Sequence, residues 1–223
     1  MTYCPIPAKS RLFSGLSSDQ SRDLMNAIGA KAIAYDKGET IIHQWTPITH
    51  YFAVVSGEVH SFCMHTDGKR SVNGAFQPGN VFGIVFAYSD LKFHPSATIA
   101  VADSVVLKIP IVDIIHNPSI ISTEVRIQYL QNIMAEISQA AYLARLRAFV
   151  LSRRTIKWRV MTYLVEQSKR YNSPEFDIPF DRQELADFLE TDRCALSSVL
   201  CKMKCEGLID CSKNHFVIRF NGE

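Results

Sequence analysis

The chain lacks any long apolar run. Its greasiest stretch, residues 104–121, is interrupted by Lys108, Pro110, Asp113, His116 and Pro118, so it does not span a bilayer. Low-complexity tracts and repeat periods are missing as well, which removes the solenoid and linker classes. Neither sign of charge is in excess, with 24 basic residues against 22 acidic ones. The net charge is only +2, so any case for a polyanionic partner must come from local arrangement rather than bulk charge. No N-terminal signal or transit segment is visible, and the six cysteines (Cys4, Cys63, Cys194, Cys201, Cys205, Cys211) are therefore expected to be reduced thiols in a cytoplasm, not a disulfide framework. There is no nucleophile elbow, no phosphate-cradling glycine loop and no zinc motif, so we expect no enzyme. What remains is an ordinary globular composition, 47% hydrophobic and 21% charged over 223 residues, enough for two modest cores.

Three regions follow from the patterning. Residues 30–110 read as short strands punctuated by Asp36-Lys37-Gly38, Ser56-Gly57-Glu58, Asp67-Gly68-Lys69 and Gln77-Pro78-Gly79-Asn80. Strands at that spacing predict a small antiparallel barrel or roll, with residues 8–29 as a short helical lead-in. From about Ser119 to Ser152 the period becomes helical. Leu130, Met134, Ile137, Ala141, Ala144, Ala148 and Leu151 follow alternating steps of four and three, an a/d seam that favours a dimer helix. A second stripe, Ile133, Ala140, Leu143 and Val150, is free to pack on the chain's own roll.

The third region carries the sharpest pattern. An amphipathic helix over Ile156–Ser168 and a short strand, Phe176–Phe180, precede the stretch DRQELADFLETDRCALSSVLCKMKCEGLI, residues 181–209. Asp181 with Glu184 is a capping-box start for a first helix, and Asp192 is a natural N-cap for a second. On the second helix Leu196, Val199, Leu200 and Met203 share one stripe, while Cys194, Ser197, Ser198, Cys201 and Cys205 lie opposite, flanked by Arg193, Lys202 and Lys204. A turn at Ser212-Lys213-Asn214 and an alternating strand, His215–Phe220, complete a winged helix-turn-helix. In that motif the buried stripe seats the second helix and the opposite face enters the major groove. Arg193 can fork to a guanine edge, the serines can donate to base or phosphate, and the lysines can meet backbone. The basic run Arg145, Arg147, Arg153, Arg154, Lys157, Arg159 adds to this reading over that of a helical hairpin used only for packing.

Over nearly its full length the chain resembles the CRP/FNR family of bacterial transcription regulators. The segments that carry the resemblance are YFAVVSGEVHSF, DGK and QPGNVFG in the first half, then RQELADFLETDRCALSSVL and EGLI in the second. The resemblance implies an α+β fold: an N-terminal antiparallel β-roll of the cyclic-nucleotide-binding-like, jelly-roll type, a long central dimerisation helix and a C-terminal winged helix-turn-helix. Boundaries are expected at residues 1–115, 116–152 and 153–223. It also implies an effector pocket, here Gly83, Ile84, Val85, Pro95, Ser96, Ala97, Leu143 and Ala144, and a dimer interface of Leu130, Met134, Ile137, Ala141, Ala144 and Ala148. DNA would meet Arg193, Cys194, Ser197 and Ser198 at the bases, and Gln183, Lys202 and Lys213 near phosphate. The expected partners are double-stranded DNA with a near-palindromic operator, a second copy of the chain, RNA polymerase and a small-molecule effector, with no membrane.

The departures from the family pattern matter as much. Cyclic-AMP-binding members carry a glutamate after the Phe-Gly pair and an arginine before Ser-Ala; this chain has Ile84 and Pro95. The helix positions that would offer hydroxyls to the base are Leu143 and Ala144. A buried phosphate without a cation is heavily penalised, so cyclic AMP is not the expected effector. On the reading helix Cys194 and Ser198 stand where those members carry glutamate and arginine, so the DNA site should differ. Glu190 stands where the family often has glycine in the turn. If that turn needs a positive φ, glutamate costs about 1 kcal/mol.

No cofactor or metal is expected. Cys4 alone near the start does not make the cysteine cluster of the iron–sulfur members, and no feature marks an axial haem ligand among the seven histidines. His43, His60, His65 and His94 read as ordinary strand or loop residues. Two other readings stay open on sequence: a ligand or redox sensor with vestigial DNA binding, and a cupin-like metalloenzyme, although no His-x-His pair occurs. A redox role for the stripe Cys194, Cys201, Cys205 is a further open reading, since Lys202 and Lys204 favour thiolate.

Overall fold

The structure is a computed structural model describing residues 5–7, 10–64, 70–111, 121–178 and 180–219. By its internal contacts the chain divides into two compact units, residues 1–141 and 142–223. The lead-in of the first unit is helical where sequence expects it. A 3-10 turn over Arg11–Phe13 is followed by α1 (Ser18–Ala27). Ser17 and Gln20 close a capping box, the Ser17 hydroxyl accepting from the Gln20 amide at 3.1 Å and the Gln20 side chain from the Ser17 amide at 2.9 Å.

Among the described residues, eight strands then build the roll: β1 (Lys31–Tyr35), β2 (Thr40–Ile42), β3 (His50–Ser56), β4 (Val59–Met64), β5 (Arg70–Phe76), β6 (Val81–Phe82), β7 (Ala97–Ala100) and β8 (Ser104–Pro110). They pair antiparallel in two four-stranded sheets, ordered β1-β8-β3-β6 and β2-β7-β4-β5. Both sheets contribute to one apolar cluster of Ile42, Phe52, Val54, Val59, Phe82 and Val106. The β3–β4 turn requires glycine: Gly57 sits at φ 84, and a Cβ there would lie 2.4 Å from the Asp103 carbonyl oxygen. The turn expected at Asp67-Gly68-Lys69 lies outside the described residues.

A short helix α2 (Ile84–Ala87) leaves β6 through Gly83, which is left-handed at φ 76. The long helix α3 (Thr123–Leu151) begins in the first unit and packs there through Val125, Tyr129 and Ile133 against Leu12, Phe13, Leu24, Met25, Tyr51 and Ile109. The buried Asn132 amide donates to the carbonyls of Leu12 at 2.9 Å and Ser14 at 2.8 Å, fixing the lead-in to the helix. Tyr51 and Tyr129 join hydroxyl to hydroxyl in the same core, and burial holds both well above the usual phenol range, so they stay neutral.

In the second unit Leu146 and Val150 of α3 share a core with α4 (Ile156–Tyr171), α5 (Arg182–Phe188) and α6 (Arg193–Cys205). Strands β9 (Glu175–Asp177), β10 (Ile209–Ser212) and β11 (His215–Ile218) form a sheet in the order β10-β11-β9. Helix α4 runs three residues past the expected Ser168, to Tyr171, where Asn172 caps it left-handed at φ 48. The strand expected over Phe176–Phe180 covers Glu175–Asp177 instead. The next residue, Ile178, turns its amide to the Asn214 carbonyl at 2.9 Å and buries its side chain.

Candidate nucleic-acid interface and effector site

Two caps set the helix pair. The Asp181 carboxylate accepts from the Glu184 amide at 2.8 Å, and the Glu184 carboxylate in turn accepts from the Asp181 amide at 2.7 Å. Asp192 accepts from the amides of Cys194 at 2.7 Å and Ala195 at 3.1 Å, which starts α6 at Arg193. Between them Glu190 is left-handed at φ 50, so the turn does demand the conformation that favours glycine. Arg159 holds this joint, its guanidinium donating to the carbonyls of Leu189 at 2.9 Å and Glu190 at 3.3 Å.

Helix α6 is seated by Leu196, Leu200 and Met203, all buried, each contributing about 1.5–3 kcal/mol by the usual area argument. The opposite side is exposed: Arg193, Cys194, Ser197, Ser198, Cys201, Lys202 and Cys205. Ser198 is partly committed, its hydroxyl donating back to the Cys194 carbonyl at 3.0 Å. Gln183 is exposed on α5, with its amide nitrogen donating to Asp187 at 2.9 Å. Lys213 is exposed at the β10–β11 turn, left-handed at φ 53, and its carbonyl accepts from Arg182 at 3.0 Å.

Much of the basic run is engaged within the unit rather than available to a polyanion. Lys157 pairs with Glu206 at 2.5 Å, Arg159 serves the turn, Arg147 lies over Phe188 and reaches Glu190 at 3.8 Å, and Arg153 stacks on Phe149. Lys204, expected at the DNA backbone, pairs instead with Asp210 at 2.6 Å. On the wing His215 faces two carboxylates, Nδ1 to Asp177 at 2.9 Å and Nε2 to Glu175 at 3.2 Å. The Asp177 hydrogen bond, with the charge of both acids, raises the His215 pKa above the ordinary imidazole value.

Along α3 the heptad positions Ile127, Met134, Ala141 and Ala148 are all exposed, Met134 at 60% and Ile127 at 51%. Ile127 is not in the seam that the sequence pattern predicts; stepping seven back from Met134 finds it. Ala144 is exposed too, whereas Leu130 and Ile137 are partly covered by the first unit's core. Of the second stripe, Ile133 and Val150 are buried and Leu143 is exposed.

In the roll, Gly83, Ile84 and Val85 form the β6–α2 elbow, with Ile84 buried and Val85 exposed. Pro95, Ser96 and Ala97 lead into β7. The two segments meet where a Cβ at Gly83 would lie 3.9 Å from the His94 ring. Buried hydroxyls line the inside of this strand: Ser61 donates to Ser96 at 3.2 Å, and Thr98 to Ser61 at 3.5 Å. His94 is also buried, and desolvation lowers its pKa, which keeps the ring neutral. Leu143 and Ala144 belong to the second unit, where both are exposed. Among the described residues no helix is long and apolar enough to cross a membrane.

Comparison with known proteins follows this division. Residues 32–116 match the family model of the cyclic nucleotide-binding domain, and residues 158–220 that of the Crp-like helix-turn-helix domain. The chain is 24% identical over 196 residues to the transcriptional activator protein FnrA of Stutzerimonas stutzeri, covering 86% of this chain and 78% of that one. Among solved structures it is similar in fold to FixK2 of Bradyrhizobium japonicum, with a TM-score of 0.63, 24% identity and coverage of 86% and 93% of the two chains. It is likewise similar to the c-di-GMP responsive global regulator CLP of Xanthomonas campestris, with a TM-score of 0.67, 16% identity and coverage of 92% and 100%.

Proposed function

The chain belongs to the CRP/FNR family of transcription regulators, and from that premise we propose how it acts. Two copies join along the exposed heptad face of α3 and present two α6 helices to successive major grooves of one operator. Arg193, Cys194, Ser197 and Ser198 face base edges, while Lys202, Lys213 and Gln183 lie near phosphate. The observation that carries this reading is the outward face of α6, capped by Asp192 and opposite the buried Leu196, Leu200 and Met203. Control comes from a small effector other than cyclic AMP, held in the roll near Gly83, Ile84, Val85, Pro95, Ser96 and Ala97. Ile84 is buried where a ribose-binding carboxylate would be needed, which argues against cyclic AMP. Contact with RNA polymerase, and work in the cytoplasm, complete the proposal. The test is selection of genomic fragments by the purified protein. The expected outcome is enrichment of near-palindromes with half-sites about one helical turn apart. Retention without sequence preference would defeat the reading.

A further inference from the structure

Three of the chain's cysteines are exposed on one helix, and neither packing nor helix formation accounts for them. Free cysteine is among the most buried residue types, and it ranks low as a helix former. Yet Cys194, Cys201 and Cys205 are exposed free thiols within the thirteen residues of α6, whereas Cys63 and Cys211 are half-buried. At 3.6 residues per turn the three fall within about 40° of one another, directly opposite the buried stripe. Where burial does not explain a cysteine, its chemistry usually does.

The spacing selects that chemistry. Cys194 stands two turns from Cys201, about 10 Å along the axis, too far to share a ligand. Cys201 and Cys205 are one turn apart, with Cβ atoms about 5–6 Å from each other. A disulfide needs Cβ atoms at about 3.5–4.5 Å, so oxidation of this pair would distort the helix. Zinc needs four ligands and finds two. A soft monovalent d10 cation bound between two thiolates places the sulfurs about 4.6 Å apart, twice a typical metal–sulfur bond of about 2.3 Å, which the pair reaches without moving the backbone.

We propose that Cys201 and Cys205 form a two-thiolate site for a soft d10 monovalent cation, copper(I) by class, and that filling it weakens DNA binding. Each S–H bond breaks, each sulfur bonds the ion, and two protons pass to solvent with no change of oxidation state. The neutral dithiol thereby becomes a site of net charge −1, twice per dimer, on the face turned to DNA phosphates. Lys204 is paired with Asp210 at 2.6 Å and Glu206 with Lys157 at 2.5 Å, leaving Lys202 as the exposed cation beside the two thiols, and the new charge cancels what Lys202 would offer to phosphate. The regulatory half of the proposal rests on α6 being the DNA-facing helix; the metal site itself does not.

The experiment uses the full-length reduced protein under anaerobic conditions, with copper(I) supplied from a competing chelator and a genomic fragment recovered by selection. The expected result is one ion per chain with a thiolate-to-metal absorption band, both lost in Cys201→Ser and in Cys205→Ser and kept in Cys194→Ser. DNA affinity should fall roughly tenfold on loading the parent and stay unchanged on adding copper to the two serine variants. An ion that does not compete with the chelator, or one retained by both serine variants, overturns the site. An ion bound at the pair with DNA affinity unchanged overturns the regulatory half. If the metal-free protein binds no fragment at all, the DNA-facing reading of α6 fails, while stoichiometry and its loss in the variants still decide the site.

Discussion

Arg159 reaches from α4 to the Leu189 carbonyl at 2.9 Å and so fastens the joint on which the reading helix turns. The same guanidinium donates to the carbonyls of Glu190 at 3.3 Å and Arg153 at 3.0 Å. Three carbonyls at helix ends thus depend on one side chain. Arg159→Ala should destabilise the second unit by about 1.5–3 kcal/mol, because half-buried acceptors of a charged donor lose their partner. Urea unfolding followed by far-UV dichroism measures it.

The Glu190 backbone tests the opposite sign. At φ 50 glutamate carries a left-handed penalty that glycine avoids. Its carboxylate gives little in return, being mostly exposed and 3.8 Å from Arg147. Glu190→Gly should therefore stabilise the protein by about 0.5–1 kcal/mol, with glycine's extra unfolded-state entropy offsetting part of the gain. A lowered unfolding midpoint would mean that the Arg147 contact matters more than the backbone.

The dimer seam makes its own prediction. Met134, Ala141, Ala144 and Ala148 are exposed on α3, an apolar line with no partner among the described residues of one chain. Ala144→Glu would set two carboxylates against each other across a close helix pair. Light scattering should report a shift from dimer toward monomer at micromolar concentration, and a stable dimer would move the seam elsewhere.

How much of this was legible in sequence depends on range. The caps at Asp181 and Asp192, the buried stripe of α6 and the strand-rich first half were readable because each is fixed by neighbours within a turn or a hairpin. The partners of the basic run were not. Lys157 finds Glu206 forty-nine positions away, and Arg159 finds Leu189 thirty positions away. Nothing local distinguishes a cation that will be engaged in this way from one left for phosphate. For the same reason the cover that the first unit's core gives Leu130 and Ile137 could not be seen in a heptad pattern.

On the wing His215 has a carboxylate at each ring nitrogen, so only the imidazolium can donate to both. Its folded pKa is raised, chiefly by the Asp177 hydrogen bond. The stability it contributes is therefore fully present below the unfolded imidazole value near 6.5 and is lost as pH rises through the folded value. Denaturant midpoints of the parent should decline over that window, and those of His215→Gln should stay flatter. An NMR titration giving His215 an ordinary imidazole pKa would remove the basis for this.

Ligand binding in the roll offers a negative test with a physical reason. A cyclic phosphate would need a buried cation and the ribose a polar partner, and the chain offers Pro95, ahead of β7, and Ile84 at the elbow instead. Calorimetry with cyclic AMP should show no heat at micromolar concentrations. Measurable micromolar binding would require a cation outside these segments to meet the phosphate.

Arg193 and Lys213 should fail in different ways if the outward face reads DNA. Arg193 begins α6, where its guanidinium can reach a base edge, so Arg193→Ala should cost about 1–3 kcal/mol and relax preference at one position of each half-site. Lys213 sits at the wing turn with φ 53, a conformation that asparagine tolerates better than alanine. Lys213→Asn therefore removes the charge without straining the turn. It should weaken binding to all sequences alike and lower the salt slope by about 1 for each phosphate no longer neutralised, twice per dimer. Competition against randomised half-sites over a salt series separates the two effects. If Arg193→Ala keeps the parent's sequence preference at every position, the bases are read by some other face.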